Sequence, residues 1–216
     1  MMKLMYFLLF STLAIPAISQ VIGIKGGLNL ANMFAKSNDE TYSDEFNMKP
    51  GFHIGLTAEF PVAETTSFET GLLLTSKGFK LDLEEDMYSQ KSNVNLLYLD
   101  IPLLAKAYFN VGGTKIYGAL GPYIGFGLSG KTKNEVTYDG ETESEEIDLK
   151  WGSSEDDDLK RLDFGLMAAA GIFIKSIELG LNYSYGLANL EATSEADSKM
   201  KNRVLSFSVG YKFNSK

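Results

Sequence analysis

From Ile177 to Leu187 the chain alternates without a break. Every odd position is apolar or aromatic, and every even position is Gly, Ser, Asn or Glu. On a helix, Glu178 and Asn182 would share a stripe with Leu181 and Tyr185; on a strand the two sets fall on opposite faces. The run is also long enough to cross a bilayer, since a tilted membrane strand needs about 9–11 residues. One face suits lipid and the other is small and polar. The whole chain is therefore expected to be all-β, with strands of this type.

The pattern recurs seven more times. Strands are predicted at 21–32, 51–60, 67–81, 95–109, 115–129, 161–174, 177–187 and 203–213. The connections alternate long and short, the long ones being 34–49, 82–92, 131–160 and 188–201. Eight strands with this asymmetry describe an antiparallel up-and-down transmembrane β-barrel with short periplasmic turns and longer outer loops. An even count lets the first and last strands pair antiparallel, leaving no open edge in lipid. Pro102 lacks a ladder donor, so a bulge is expected there.

The first 19 residues are expected to be a signal peptide. Met1-Met2-Lys3 is a short basic start, Leu4 to Ile18 is mostly apolar, and Ala17 and Ser19 are small residues placed for cleavage before Gln20. Residues 20–216 would then form one barrel domain. The chain has no Cys, which excludes a disulfide framework, a thiolate metal site and a Cys-linked lipid anchor. A net charge of −8 argues against nucleic acid. Mean hydropathy near zero is no sign of a soluble protein, because alternation averages out the apolar face.

The face assignment fixes the candidate residues. Lys25, His53, Glu59, Glu69, Lys77, Asp100, Lys106, Arg161, Asp163, Glu178 and Lys212 are expected in the lumen as a network of paired charges. Eight strands enclose little more than their own side chains. Phe60, Phe68, Phe109 and Phe213 are expected in a periplasmic aromatic girdle, and Phe52, Phe126, Phe164 and Tyr185 in an outer one. Between Lys131 and Lys160 stand eleven acids and four lysines. This stretch is expected to be a solvated, self-repelling loop. Glu155, Asp156, Asp157 and Asp158 are weak candidates for a divalent cation, without the spacing of a dedicated calcium loop. Trp151 could anchor a partner or the head-group zone. No cofactor is called for.

Tyr98-Leu99-Asp100-Ile101-Pro102-Leu103-Leu104-Ala105-Lys106-Ala107-Tyr108-Phe109 resembles the hallmark strand of the porin-like outer-membrane β-barrel family common in Bacteroidetes. Gly23 to Ala31 resembles that family's first strand, and Gly118 to Gly125 its central one. The resemblance implies a Gram-negative outer-membrane location and contact with outer-membrane lipid and lipopolysaccharide. Ser208 to Phe213 is similar to the terminal signal read by the barrel-insertion machinery, here followed by Asn214-Ser215-Lys216. The functional expectation is a monomeric, non-enzymatic barrel that holds acidic loops at the cell surface for a partner of unknown identity. A small passive channel is the alternative. A lipid hydrolase built around His53, the one histidine, is a more distant third, because no nucleophile motif accompanies it.

Overall fold

The computed structural model describes residues 20–37, 40–41, 46–85, 88–139, 141–154, 156–192 and 198–213. The expected signal peptide, Glu155 and the last three residues lie outside them. The strands are β1 (Val21–Ser37), β2 (Glu40–Thr41), β3 (Phe46–Asn47), β4 (Lys49–Ala63), β5 (Thr66–Glu85) and β6 (Tyr88–Val111). They continue with β7 (Thr114–Tyr138), β8 (Glu141–Asp148), β9 (Leu162–Ile174), β10 (Ile177–Gly186) and β11 (Lys199–Lys212).

Eight of these form a closed antiparallel ring in the order β1, β4, β5, β6, β7, β9, β10, β11. Closure comes from β1 pairing with β11, from Gly23 opposite Lys212 to Lys36 opposite Lys199. Each stave thus hydrogen-bonds on both sides, as a strand in hydrocarbon must. The short turns follow local chemistry. Gly112 and Gly113 both take positive φ, 57° and 82°, the conformation of a tight two-residue hairpin that a side chain resists. Lys175 does the same at φ 57°.

The apolar parity faces outward on every stave. Leu28, Ile54, Leu72, Leu120, Leu166 and Val209 are among the exposed hydrophobics, while Lys25, Glu69, Lys77, Lys106 and Glu178 are buried. In water this would be an inverted protein. In lipid it is the stable arrangement, because the apolar side chains meet hydrocarbon and the charged ones meet each other. All eight predicted girdle aromatics stand on the outward face. Phe52, Phe68, Phe109, Phe126, Phe164 and Phe213 are exposed, and Phe60 and Tyr185 are half-buried.

The structure departs from the sequence-based expectation in three places. First, the register runs unbroken across Pro102, with Pro102 opposite Tyr123 and Ala105 opposite Leu120. A missing donor costs one ladder bond and does not require an inserted residue. The shift lies instead where Leu97 faces Ser129 and Tyr98 faces Gly127, which makes Leu128 the extra residue. Beyond it β7 changes parity, so Gly130 is buried where Gly127 was.

Second, the loops at 34–49, 82–92 and 188–201 contain strand. β1 runs on to Ser37, β5 and β6 to Glu85 and Tyr88, and β11 starts at Lys199. Third, the acidic stretch from Lys131 is ordered. Residues 131–138 continue β7 and pair with β8, from Lys131 opposite Asp148 to Tyr138 opposite Glu141. β6 has 24 residues and β7 has 25, against about 9–11 for a crossing. The surplus, with β8 and the end of β5, forms an arm that stands clear of the membrane. Net charge concealed the local pairing. Lys131 bonds Glu146 at 2.5 Å and Lys133 bonds Glu135 at 2.6 Å. These bonds hold both lysines above, and both glutamates below, their ordinary titration ranges.

The lipid assignment separates two sets of exposed apolar residues. Leu120→Arg, near the middle of the outward band, should cost about 2–4 kcal/mol of folding stability in vesicles. Ile147→Arg, on the arm, should leave the same guanidinium titration unchanged.

Candidate functional site: the lumen and its outer lid

Inward parity brings charges from six strands together at the short-turn end of the barrel. Lys25 on β1 bonds Glu69 at 2.5 Å and Glu178 at 3.0 Å. Lys106 on β6 bonds the same two carboxylates at 2.7 and 3.0 Å. Lys212 on β11 meets Glu69 at 2.7 Å, Glu59 at 3.0 Å and Glu178 at 3.4 Å. Three lysines and three glutamates balance to zero. Glu69 is the hub, receiving all three lysines on two oxygens. The Tyr108 hydroxyl donates to Glu59. Lys106 also sits 4.1 Å above the Tyr117 ring, so the cross-section is filled by charge on one side and aromatics on the other.

A second group lies nearer the long-loop end. Lys77 bonds Asp100 at 2.9 Å and Asp163 at 3.0 Å. Tyr123 and Asn202 donate to the same Asp163 oxygen at 3.1 and 2.9 Å. One lysine and two aspartates leave this group one negative charge in excess. Lys77 lies 4.5 and 4.7 Å from the Tyr98 and Tyr123 rings.

Between the two groups runs a neutral belt centred on His53. The Asn29 amide nitrogen donates to the carbonyls of Phe52 and Ser76, which fixes the Asn29 Oδ1 as the acceptor for the ring. His53 Nδ1 therefore donates to Asn29 Oδ1 at 2.8 Å, and Nε2 accepts from Ser208 Oγ at 2.9 Å. Ser208 in turn accepts from Asn182 at 2.6 Å. A hydroxyl, an imidazole and an amide in this order have the spacing of a nucleophile, its base and an orienting group. Ser208 is only 4% exposed. The adjoining cavity, lined by His53, Thr75, Asp100 and Ser208, has a volume of about 40 Å³. That is room for about three waters, not for a lipid.

The long-loop end is closed by a lid. Leu149, Trp151 and Leu159, with Ala188 and Leu190, pack on Met33, Val94, Leu96 and Tyr98. Trp151 meets Tyr98 edge-on at 5.5 Å. Its ring lies over Gly127, where an added Cβ would stand 2.5 Å from it, so the lid can seat only over glycine. The Lys160 amide donates to the Leu190 carbonyl, which stitches the two lid segments together, and the Leu190 amide donates to the Met200 carbonyl, which ties them to β11.

Ten of the eleven predicted lumen residues lie buried inside. Arg161 does not, and its assignment is corrected. It precedes the first residue of β9, is exposed, and turns outward to the Gly127 carbonyl at 3.2 Å and the Phe126 ring at 6.0 Å. The parity rule failed there because the strand had not yet begun. The candidate cation ligands are also differently engaged. Asp157 Oδ2 accepts from the Ser154 amide and Asp158 Oδ2 from the Lys150 amide, each at 2.8 Å. They tie the lid's backbone, and among the described residues no three acids or histidines converge on a metal-sized site. Asp156 is exposed. The lid itself was missed, although Leu149, Trp151 and Leu159 are apolar interruptions in an acidic stretch.

Residues 18–191 match the model of the outer membrane protein β-barrel domain. The chain belongs to that family. It is a barrel of the bacterial outer membrane, as the closed ring and its apolar wall require. Solved structures with a similar fold include Neisserial surface protein A, at 14% identity and TM-score 0.43, covering 89% of this chain and 97% of that one. Ail, the attachment invasion locus protein of Yersinia pestis, matches at 16% identity and TM-score 0.32, covering 90% and 97%. An outer membrane channel from Pseudomonas putida F1 matches at 14% and 0.32, covering 93% and 97%. No curated protein sequence matches.

The hub makes a quantitative demand. Breaking a buried ion network by removing one charge costs about 3–5 kcal/mol, because the remaining charges stay buried. Glu69→Gln should lose that much in the barrel's unfolding free energy. Glu135→Gln on the exposed arm should be indistinguishable from the parent in the same measurement.

Proposed function

We propose that this barrel conducts nothing and serves to display its arm and lid at the cell surface. The observation that carries the reading is the double closure of the lumen: an ion-paired cross-section at one end and an apolar lid at the other. An ion entering the first would have to break contacts among six buried charges; one entering the second would have to pass a dry apolar layer. The arm supports the display half of the reading. β8 carries Glu141, Glu143, Glu145, Glu146 and Asp148 on a fully exposed strand. Its outer edge is unpaired among the described residues. Acidic edge strands repel copies of themselves, so the surface suits a cationic partner over self-association.

Reconstituted in a planar bilayer, the protein should add no single-channel conductance, and it should still add none when residues 150–160 are replaced by a short Gly-Ser linker. Steps in the parent protein would return the reading to a passive channel. Orientation is checked by thiol labelling, which the absence of Cys makes clean. Tyr138→Cys should react with an impermeant maleimide on intact cells. Gly113→Cys should react only after the outer membrane is breached.

The Ser208–His53–Asn29 spacing supports one other reading, a lipid hydrolase. Burial of Ser208 beneath the lid weighs against it. Mixed micelles of phospholipid or lipopolysaccharide should show no turnover; turnover lost in Ser208→Ala would establish the activity and overturn the display reading.

A further inference from the structure

The outward face of β11 changes character abruptly. Leu205, Phe207, Val209, Tyr211 and Phe213 point into lipid, and the next outward positions are Arg203, Lys201 and Lys199. The apolar run from 205 to 213 already matches the roughly 9–11 residues of a crossing. The cations therefore begin at head-group height. Along β10 the apolar run ends at Leu187, one residue past the strand, and on β9 it ends at Leu162, with Arg161 directly beyond. By pairing register Arg203 stands opposite Tyr185 and Tyr185 opposite Leu166, so Arg161 lies two strands across from Lys201, about 10 Å at the usual inter-strand spacing, and about another 10 Å further along the strands.

These cations are held in a way that leaves their charge available. The Arg203 guanidinium lies 4.7 Å from the Phe34 ring and 5.5 Å from the Tyr185 ring. Its Nε is buried and has no hydrogen-bond partner. Lys201 lies 5.9 Å from Tyr185. Arg161 spends one donor on the Gly127 carbonyl. Among the described residues no carboxylate pairs with Arg161, Lys201 or Arg203, although the chain has 28 acids to 20 bases. On the arm, by contrast, Lys91, Lys131 and Lys133 each contact a carboxylate. Beside Arg161 a furrow opens on the same face, floored by Leu162, Phe164 and Leu187 and edged by Ser153 and Asn189.

We propose that this rim, formed by β9, β10, β11 and the end of β1, binds a phosphorylated glycolipid of the outer leaflet, the lipid A part of lipopolysaccharide. Arg203, Lys201 and Arg161 contact its phosphates, and the furrow over Leu162, Phe164 and Leu187 takes acyl chain. Stacked guanidinium groups are suited to this, because the rings fix the fork while its donors face outward. A zwitterionic phospholipid offers one phosphate with its own cation beside it and would satisfy the rim poorly. This site lies on the barrel wall and is independent of what the arm displays.

The test uses the full-length barrel purified in detergent and native mass spectrometry, with bisphosphorylated lipid A as the probe. The parent should retain it, and should retain dephosphorylated lipid A and phosphatidylethanolamine about tenfold less. Arg161→Gln/Lys201→Gln/Arg203→Gln should lose the preference, while Arg161→Lys/Lys201→Arg/Arg203→Lys keeps most of it, which separates charge from folding. Lys131→Gln/Lys133→Gln on the arm should bind as the parent does. Equal retention of lipid A with and without phosphate, or an unaltered preference in the triple Gln variant, would overturn the proposal.

Discussion

Every backbone amide in the hydrocarbon must find a partner within the protein, and the rest of this structure follows from that demand. A strand meets it only with a neighbour on each side, and a sheet only by closing. The seam between β1 and β11 joins residues 163 to 189 positions apart in sequence, along fourteen consecutive pairs. Once the ring is closed, the two faces of each strand acquire different solvents. The outward one needs hydrocarbon-compatible side chains; the inward one needs side chains that satisfy each other in a narrow tube.

The inward solution is layered. At one end three lysines and three glutamates balance, with Glu69 shared among all the cations. A neutral belt follows, in which His53 passes a hydrogen bond from Ser208 to Asn29. Beyond it Lys77 holds two aspartates, and above that the interior turns apolar where Trp151 and its neighbours cap it. This gradient from salt to hydrocarbon along one axis explains why the lid stays seated. Its leucines and tryptophan meet Met33, Val94 and Leu96, not water. Removing a charge from the lower layer leaves its partners stranded. Removing a lid residue leaves an apolar gap but strands no charge, so the two closures differ in their sensitivity to substitution.

The barrel was legible because its signal is periodic. Alternation in 177–187 and seven similar runs fixed the strand number, the outward face and ten of the eleven lumen residues. Two kinds of feature escaped. Composition misread residues 131–160, where an excess of acids concealed a cross-strand pattern that sets Lys131 and Lys133 opposite Asp148 and Glu146. Parity misread Arg161, which has the right number for the lumen but precedes the strand that would have aimed it there. The lid had a local signal, apolar residues in an acidic stretch, but its contacts come from β1, β6 and residues 188–190. No one-dimensional pattern brings those together. Arg203 and Lys201 were readable as continuations of the β11 alternation onto the lipid side, since the parity that places Leu205 outward also places them there.

The barrel is closed, with its apolar face in lipid and its charges sealed inside. The most direct test is gel mobility of the outer-membrane fraction in SDS, boiled against unboiled. A closed, filled ring resists SDS at room temperature and migrates faster than the unfolded chain, so heating should slow the band. Identical mobility in both lanes, with the protein recovered from the soluble periplasm, would mean that the apolar face meets something other than lipid and that no membrane barrel forms.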